Sequence, residues 1–477
     1  MWSRRRQGAI ALICLCAILY LYTALPTDIR GHIKAYGPTR WRQGSYADGE
    51  PPPPPPPAEN SPPDTSISET TLPGAVHVPG FTIFDRLYVW NGTLYAVTSN
   101  AKAFPDLRTV ISQPKDRLNG VNIDPTPEDM QIISPEDAKP FLGDHAIVIS
   151  GTSFIFWDTE QFMAHYYHWW GELILGAIRV YASLALVPGI ATPLPEPKRF
   201  IMPNIVDHSW RDRAGVDGPL MRAGWPDASI ERGDLWADLV GLNSTFVFER
   251  AMVISRTGAH TSPLSSLWYK MISSTMNVTV PDDFWKPLQQ RVIENAVGYL
   301  PVMDENGTVL SEPKSKAPVV TYISRQSGVR RLSDEAHEGL VKELQALEEE
   351  GLIELNIAAM EFLTFSQQLE TVARTTIMVG VHGNGLTHQL WMPSSPRSTI
   401  IEIFFPQSYL HDYELLARNM GHKHYAVWND TYVTYAPGKW FEGVEQGDRK
   451  DFNGVSIPVH GPTVAELIRD RLTTDAQ

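Results

Sequence analysis

The second half of the chain alternates short, continuously apolar runs rich in β-branched residues with amphipathic stretches. Runs at 319–324, 352–357, 376–381, 399–405 and 424–428 read as strands. Stretches at 334–350, 366–374, 386–392 and 410–420 read as helices, the first with an acidic opening turn and a stop at Gly351. Strands that are apolar on both faces and separated by helices belong to a parallel sheet covered on both sides, the doubly wound α/β architecture. Ligands in that architecture sit beyond the carboxyl ends of the strands.

The first half is less regular. Strand-like runs lie at 81–90, 146–157, 199–203 and 245–255, and 161–186 reads as one long helix, free of proline and apolar nearly all round, hence buried. Residues 301–317 turn polar and read as an interdomain linker. Ahead of all this, residues 8–25 carry no charge and come after Arg4, Arg5 and Arg6. At about 1.5 Å per residue such a helix crosses a bilayer, and the positive-inside rule puts the rest of the chain on the far side. Seven consecutive prolines at 51–57 predict a semi-rigid polyproline II spacer. The organisation expected is a cytoplasmic tail 1–7, a transmembrane signal anchor 8–25, a Pro-rich disordered stem 26–76, a first lobe 77–312 and a second lobe 313–477.

Composition narrows the partners. The 477 residues are 43% hydrophobic, enough for a substantial core, and carry 54 acidic against 40 basic side chains, a net charge of −14 that disfavours nucleic acid. Both cysteines, Cys14 and Cys16, lie in the apolar span, which leaves the folded part without a disulfide framework or a Cys-based zinc site. Asn91, Asn243, Asn277, Asn306 and Asn429 each head an Asn-x-Ser/Thr acceptor, as a lumenal chain would use. These features together read as a single-pass type II membrane protein with its large part in the lumen.

Candidate chemistry comes from the strand-end rule. Ser324 and Arg325 end the first strand of the second half, with Arg330 and Arg331 close behind, and an arginine there offers a fork to phosphate oxygens. The third strand ends in Gly380-Val381-His382-Gly383-Asn384-Gly385-Leu386-Thr387, where glycines allow close backbone approach and the next helix presents free N–H groups to an anion. The spacing is not the dinucleotide fingerprint, so no nicotinamide cofactor is indicated. Glu402 stands alone in an apolar strand and must find either a protein partner or a ligand such as a ribose diol. In the first half His165, His168 and Glu172 share a helix face among four aromatics. That set reads as a metal triple, as core, or as a sugar cleft whose Glu172 is a general base with a raised pKa.

His168-Trp169-x-x-Glu172, Ile323-Ser324-Arg325, the Gly380–Thr387 loop and the Ile401-Glu402-Ile403-Phe404 strand, in this order, resemble glycosyltransferase family 61 over about half the chain. The resemblance implies two Rossmann-like lobes of GT-B type. It also implies a secretory-pathway enzyme that moves a sugar, xylose or N-acetylglucosamine foremost, from a UDP-sugar to a glycan or glycoprotein acceptor with inversion. Asn384 departs from the alanine frequent at that position, which leaves donor preference open.

No Asp-x-Asp triplet occurs in the chain, so no metal and no cofactor is expected. Arg325 and helix N-termini would instead neutralise the leaving UDP. The sites expected are Glu172 or His168 as catalytic base, with Ser324, Arg325, Arg330, His382, Gly383, Asn384, Gly385 and Glu402 holding the nucleotide sugar. A GDP-fucose transferase and an inactive lumenal lectin or scaffold are the rival readings.

Overall fold

The computed structural model describes residues 63–116, 121–443 and 454–473. They belong to one compact unit, Pro63–Gln477. The expected membrane span and proline run lie outside the described residues. Among the described residues, no helix is long and apolar enough to cross a membrane.

The fold is α/β, built on two sheets. The first has β1 (His77–Val78), β2 (Phe81–Trp90), β3 (Thr93–Val97), β4 (Met130–Ile133), β5 (Ile147–Phe156), β6 (Pro197–Ile201), β7 (Ser229–Glu231) and β8 (Phe246–Ile254). Their order is β4-β3-β2-β8-β5-β6-β7, with β1 beside β2. The sheet is mixed: β2 runs antiparallel to β3 and β8, whereas β8, β5, β6 and β7 pair in parallel. Asn91 and Gly92, at φ 48° and 81°, make the two-residue turn from β2 to β3. The segment before β1, expected as the end of the stem, runs along this sheet. Ser66 bridges His145 and Thr71 bridges Asp85, so backbone pairing holds in place a stretch whose composition alone suggested none.

The second sheet has β9 (Val319–Ile323), β10 (Glu354–Ala358), β11 (Ile377–Val381), β12 (Thr399–Ile403), β13 (Lys423–Trp428) and β14 (Thr431–Val433), in the order β10-β9-β11-β12-β13-β14. All neighbours are parallel except β13 and β14. Every residue of β9, β11 and β12 is buried, the physical origin of their unbroken apolar runs. The strand order reverses between β9 and β11, and a crevice opens at such a reversal beyond the carboxyl ends. After β13, the three-residue edge strand β14 and the closing helix Gly461–Thr473, which packs on helix Asp334–Glu349, gave no signal in the pattern.

The long helix expected over 161–186 is broken. A 3₁₀ turn, Glu160–Phe162, precedes a π-helix, Tyr167–Ile174, which passes into the α-helix Leu175–Ala182 and a 3₁₀ turn, Ser183–Leu186. Each residue of the π-helix except His168 is buried, so no amphipathic period existed to reveal the change of winding. These segments lie in one apolar cluster that takes in residues of both sheets' surroundings, from Phe81 and Phe154 to Trp391 and Leu416. Polar contacts reinforce it: Trp391 Nε1 donates to the Tyr166 hydroxyl at 2.8 Å and Trp285 Nε1 to the Leu390 carbonyl at 2.8 Å.

Candidate functional site

On the first sheet, Asp158 comes after β5 and Arg256 after β8, two adjacent parallel strands. The Asp158 carboxylate accepts the Arg256 backbone N–H at 2.8 and 3.0 Å, and Arg256 Nη1 donates to Glu172 Oε2 at 2.7 Å. Glu172 is fully buried and fully engaged. Its Oε1 accepts the Met271 N–H at 2.6 Å and its Oε2 meets His168 Nδ1 at 2.5 Å. Burial pushes this carboxyl up, but the Arg256 guanidinium, the His168 hydrogen bond and Lys270 outweigh it and hold the group below its ordinary value. The raised pKa expected from aromatic neighbours is therefore reversed: Glu172 is an anchored anion.

His168 is the residue of this helix that reaches the surface, with 26% of its side chain exposed. It borders a cavity of about 550 Å³ together with His165, Phe162, Asp212, Arg213 and Asn384. The aromatic residues beside it do not line a sugar cleft. Trp169 packs on Phe156 and Trp210, and Trp170 on Trp225 and Trp391, all as core. The metal triple fails as well, since Glu172 is committed to Arg256 and the Met271 N–H. Among the described residues, no group of three or more His, Cys, Asp or Glu is placed to hold a metal ion.

The strand ends of the second sheet bring their arginines to the reversal point. Ser324, buried, hands its N–H to the Ala358 carbonyl. Arg325 Nη1 and Arg330 Nη1 both approach the His382 carbonyl, at 3.4 and 2.9 Å. Gly383 holds φ 145°, and a side chain there would overlap the Arg325 guanidinium, so this glycine makes room for the arginine. Asn384 and Gly385 open the 3₁₀ helix Asn384–Trp391, and Asn384 Oδ1 accepts the Tyr167 N–H at 3.1 Å. The loop after β11 is thus joined to the helix that carries His168.

Glu402 has found protein partners. Its Oε1 is bonded to His382 Nδ1 and its Oε2 to His424 Nε2 at 2.8 Å, all three groups buried. Burial pushes Glu402 up, with Asp412 and Glu414 adding to it, and pushes His382 down to about 3 and His424 down to about 4. Glu402 has no exposed surface for a ribose diol to reach, so that role is withdrawn; it fixes the imidazole at the root of the glycine loop.

Sequence reasoning passed over Arg256, His424, Lys270, Asp412 and Tyr413. The strand-end rule, applied to β8, would have found Arg256, and His424 was visible as a polar residue on the strand next to Glu402. Lys270 and Asp412, paired at 3.2 Å, carried no local signal because they come from segments 142 positions apart in sequence. Tyr413 packs edge-on against both Tyr167 and His382, with centroids 5.4 and 5.1 Å away. The five acceptor asparagines, Asn91, Asn243, Asn277, Asn306 and Asn429, are all exposed.

Residues 166–401 match the family described as Glycosyltransferase 61. Over 124 residues, 26% of the chain, the sequence is 29% identical to the EGF domain-specific O-linked N-acetylglucosamine transferase of Drosophila melanogaster. That stretch spans 22% of the fly protein's length. The family match opens at Tyr166, where the His168 helix begins, and closes within β12, next to Glu402; residues 166–401 form a glycosyltransferase 61 domain.

Proposed function

We propose that the chain is an inverting glycosyltransferase of GT-B type, transferring N-acetylglucosamine or xylose from a UDP-sugar to a glycan or glycoprotein acceptor. In this reading it is a single-pass type II protein with its catalytic part in the Golgi or ER lumen. The observation that carries the reading is the convergence of Arg325 and Arg330 on the His382 carbonyl at the strand-order reversal, with the exposed face of His168 reached through the Asn384–Tyr167 bond. The name of the fly relative supports N-acetylglucosamine and a protein acceptor.

In this mechanism the diphosphate lies against Arg325 and Arg330, and the acceptor hydroxyl enters the cavity beside His168. Nδ1 of His168 is spent on Glu172, which leaves Nε2 to take the proton. The acceptor oxygen then bonds to the anomeric carbon as the carbon–oxygen bond to the diphosphate breaks, and the new negative charge is met by the two guanidinium groups. Glu172, ionised throughout, orients the imidazole and stabilises the imidazolium that forms. The roles expected jointly of Glu172 and His168 thus divide into positioning residue and base.

A thermal-shift titration of the wild type and Arg325→Ala with UDP, GDP and their sugars tests this reading. UDP should raise the melting temperature of the wild type and not that of the variant. Stabilisation by GDP alone would transfer the reading to a GDP-sugar donor, and stabilisation by neither would sink it.

A further inference from the structure

An ion pair linked to both the His168–Glu172 pair and the His382 loop has no contact with substrate in the proposed reaction. Lys270 Nζ lies 3.2 Å from Asp412 Oδ2, with 13% and 12% of the two side chains exposed. Both are tied to the site through their neighbours. The residue after Lys270 is Met271, whose N–H holds Glu172 Oε1 at 2.6 Å. The residue after Asp412 is Tyr413, whose ring packs on His382 and on Tyr167.

A lysine and an aspartate that are both nearly buried are held at a desolvation cost, and a pair of that kind contributes little net stability. The pair is therefore better explained by what it does than by what it stabilises. Three cationic side chains, Arg330, Lys270 and Arg325, act electrostatically on His382, and Asp412 opposes them there alongside Glu402, which is bonded to the ring itself. The lysine is a compact charge on a flexible stem, able to change partners, whereas Arg325 and Arg330 are fixed on the His382 carbonyl.

We infer that Lys270 is a third diphosphate-binding cation, contributed by the segment between β8 and β9, and that Asp412 holds it in the nucleotide-free state and yields it to the donor. The inference rests on the nucleotide-sugar reading and adds a residue and an exchange to it. When the diphosphate enters, its oxygens replace the Asp412 carboxylate as the partner of the Lys270 ammonium. No covalent bond is made or broken in this step.

Calorimetric titration of the full chain with UDP and with uridine tests it, in the wild type, Lys270→Met and Asp412→Asn. Lys270→Met should weaken UDP binding tenfold or more and leave uridine binding unchanged. Asp412→Asn should tighten UDP, because the competing carboxylate is gone; a purely structural pair would lose affinity in both variants. UDP affinity within twofold of wild type in Lys270→Met, or weakened equally for UDP and uridine, would overturn the inference while leaving the nucleotide reading intact. A wild type that binds neither UDP nor GDP would overturn both. Lys270→Arg, which keeps the charge, should restore UDP binding if the methionine variant folds poorly, and failure of that rescue counts against the role.

Discussion

Asn384 Oδ1 accepts the backbone N–H of Tyr167 at 3.1 Å, so a side chain from the glycine loop after β11 caps the π-helix that presents His168. The two residues are 217 positions apart, and the bond satisfies one of the amides that a helix start leaves without a partner. Asn384→Ala removes the acceptor and should cost about 1 kcal/mol, as loss of a helix cap does. The bond reaches the backbone of Tyr167 and not the His168 imidazole, so the base itself keeps its Glu172 partner without it. The expected outcome is a lower urea midpoint with kcat changed by only a few-fold. A variant with unaltered stability would show that the bond contributes nothing.

Gly383 and Arg325 should fail together. A methyl group at Gly383 would occupy the place of the Arg325 guanidinium, and φ 145° is open to few residues other than glycine. Gly383→Ala should therefore reproduce the loss of UDP binding and turnover expected of Arg325→Ala, about 2 to 4 kcal/mol of transition-state stabilisation for one preorganised donor. In the proposed reaction the arginines meet the diphosphate charge, so activity should survive EDTA. Full inactivation by the chelator with recovery in manganese would contradict this account.

How far the sequence carried these conclusions depended on periodicity. β9, β11 and β12 were legible because each is buried at every position, and the rule about strand ends then led directly to Arg325 and His382. The same apolar excess hid the π-helix, since burial of everything but His168 looks alike at any winding. Glu402 shows a different limit. Its isolation in an apolar strand signalled that it needed a partner, but His424 comes from the adjacent strand and His382 from the preceding loop, and only the register of β11, β12 and β13 brings them together. The Lys270–Asp412 and Arg256–Glu172 pairs are likewise contacts of the tertiary fold with no local pattern.

The placement on the lumenal side has its own test. Asn91, Asn243, Asn277, Asn306 and Asn429 are exposed, so the fold presents each acceptor to a glycosylating enzyme. Expression in cells with an intact secretory pathway should give a protein whose apparent mass drops on endoglycosidase treatment, and successive Asn→Gln changes should remove the increments one by one. A mass unaffected by the enzyme would place the folded part elsewhere.

His422 should make the fold weaker in acid. Its ring bonds Ser398 Oγ at 3.0 Å and donates to the Gln389 carbonyl at 3.1 Å, and burial lowers its pKa from 6.5 to about 4. Below pH 6.5 the unfolded chain takes up a proton that the folded chain refuses until about pH 4. Stability is thus retained above that window and falls within it, by about 1.4 kcal/mol per pH unit for this one group. Urea unfolding at a series of pH values should show this slope reduced by one proton in His422→Gln. An unchanged slope would mean that His422 protonates alike in both states.

The division of labour between His168 and Glu172 gives the sharpest kinetic test. Glu172 is fully buried and opposed to Arg256, itself nearly buried, at 2.7 Å. Removing one partner of such a pair strands the other charge and costs about 3 to 5 kcal/mol. Glu172→Gln should therefore lower both stability and kcat, and adding Arg256→Met should recover much of the stability without recovering the rate, because the imidazole still lacks its carboxylate. His168→Ala leaves the Arg256–Glu172 pair in place, so its fold should be close to wild type while kcat falls by ~10²-fold or more with UDP affinity held. These variants separate the two roles by which quantity moves. If His168→Ala turned over normally, the histidine would be no base. If the double variant regained rate along with stability, Glu172 would serve the fold and not the reaction.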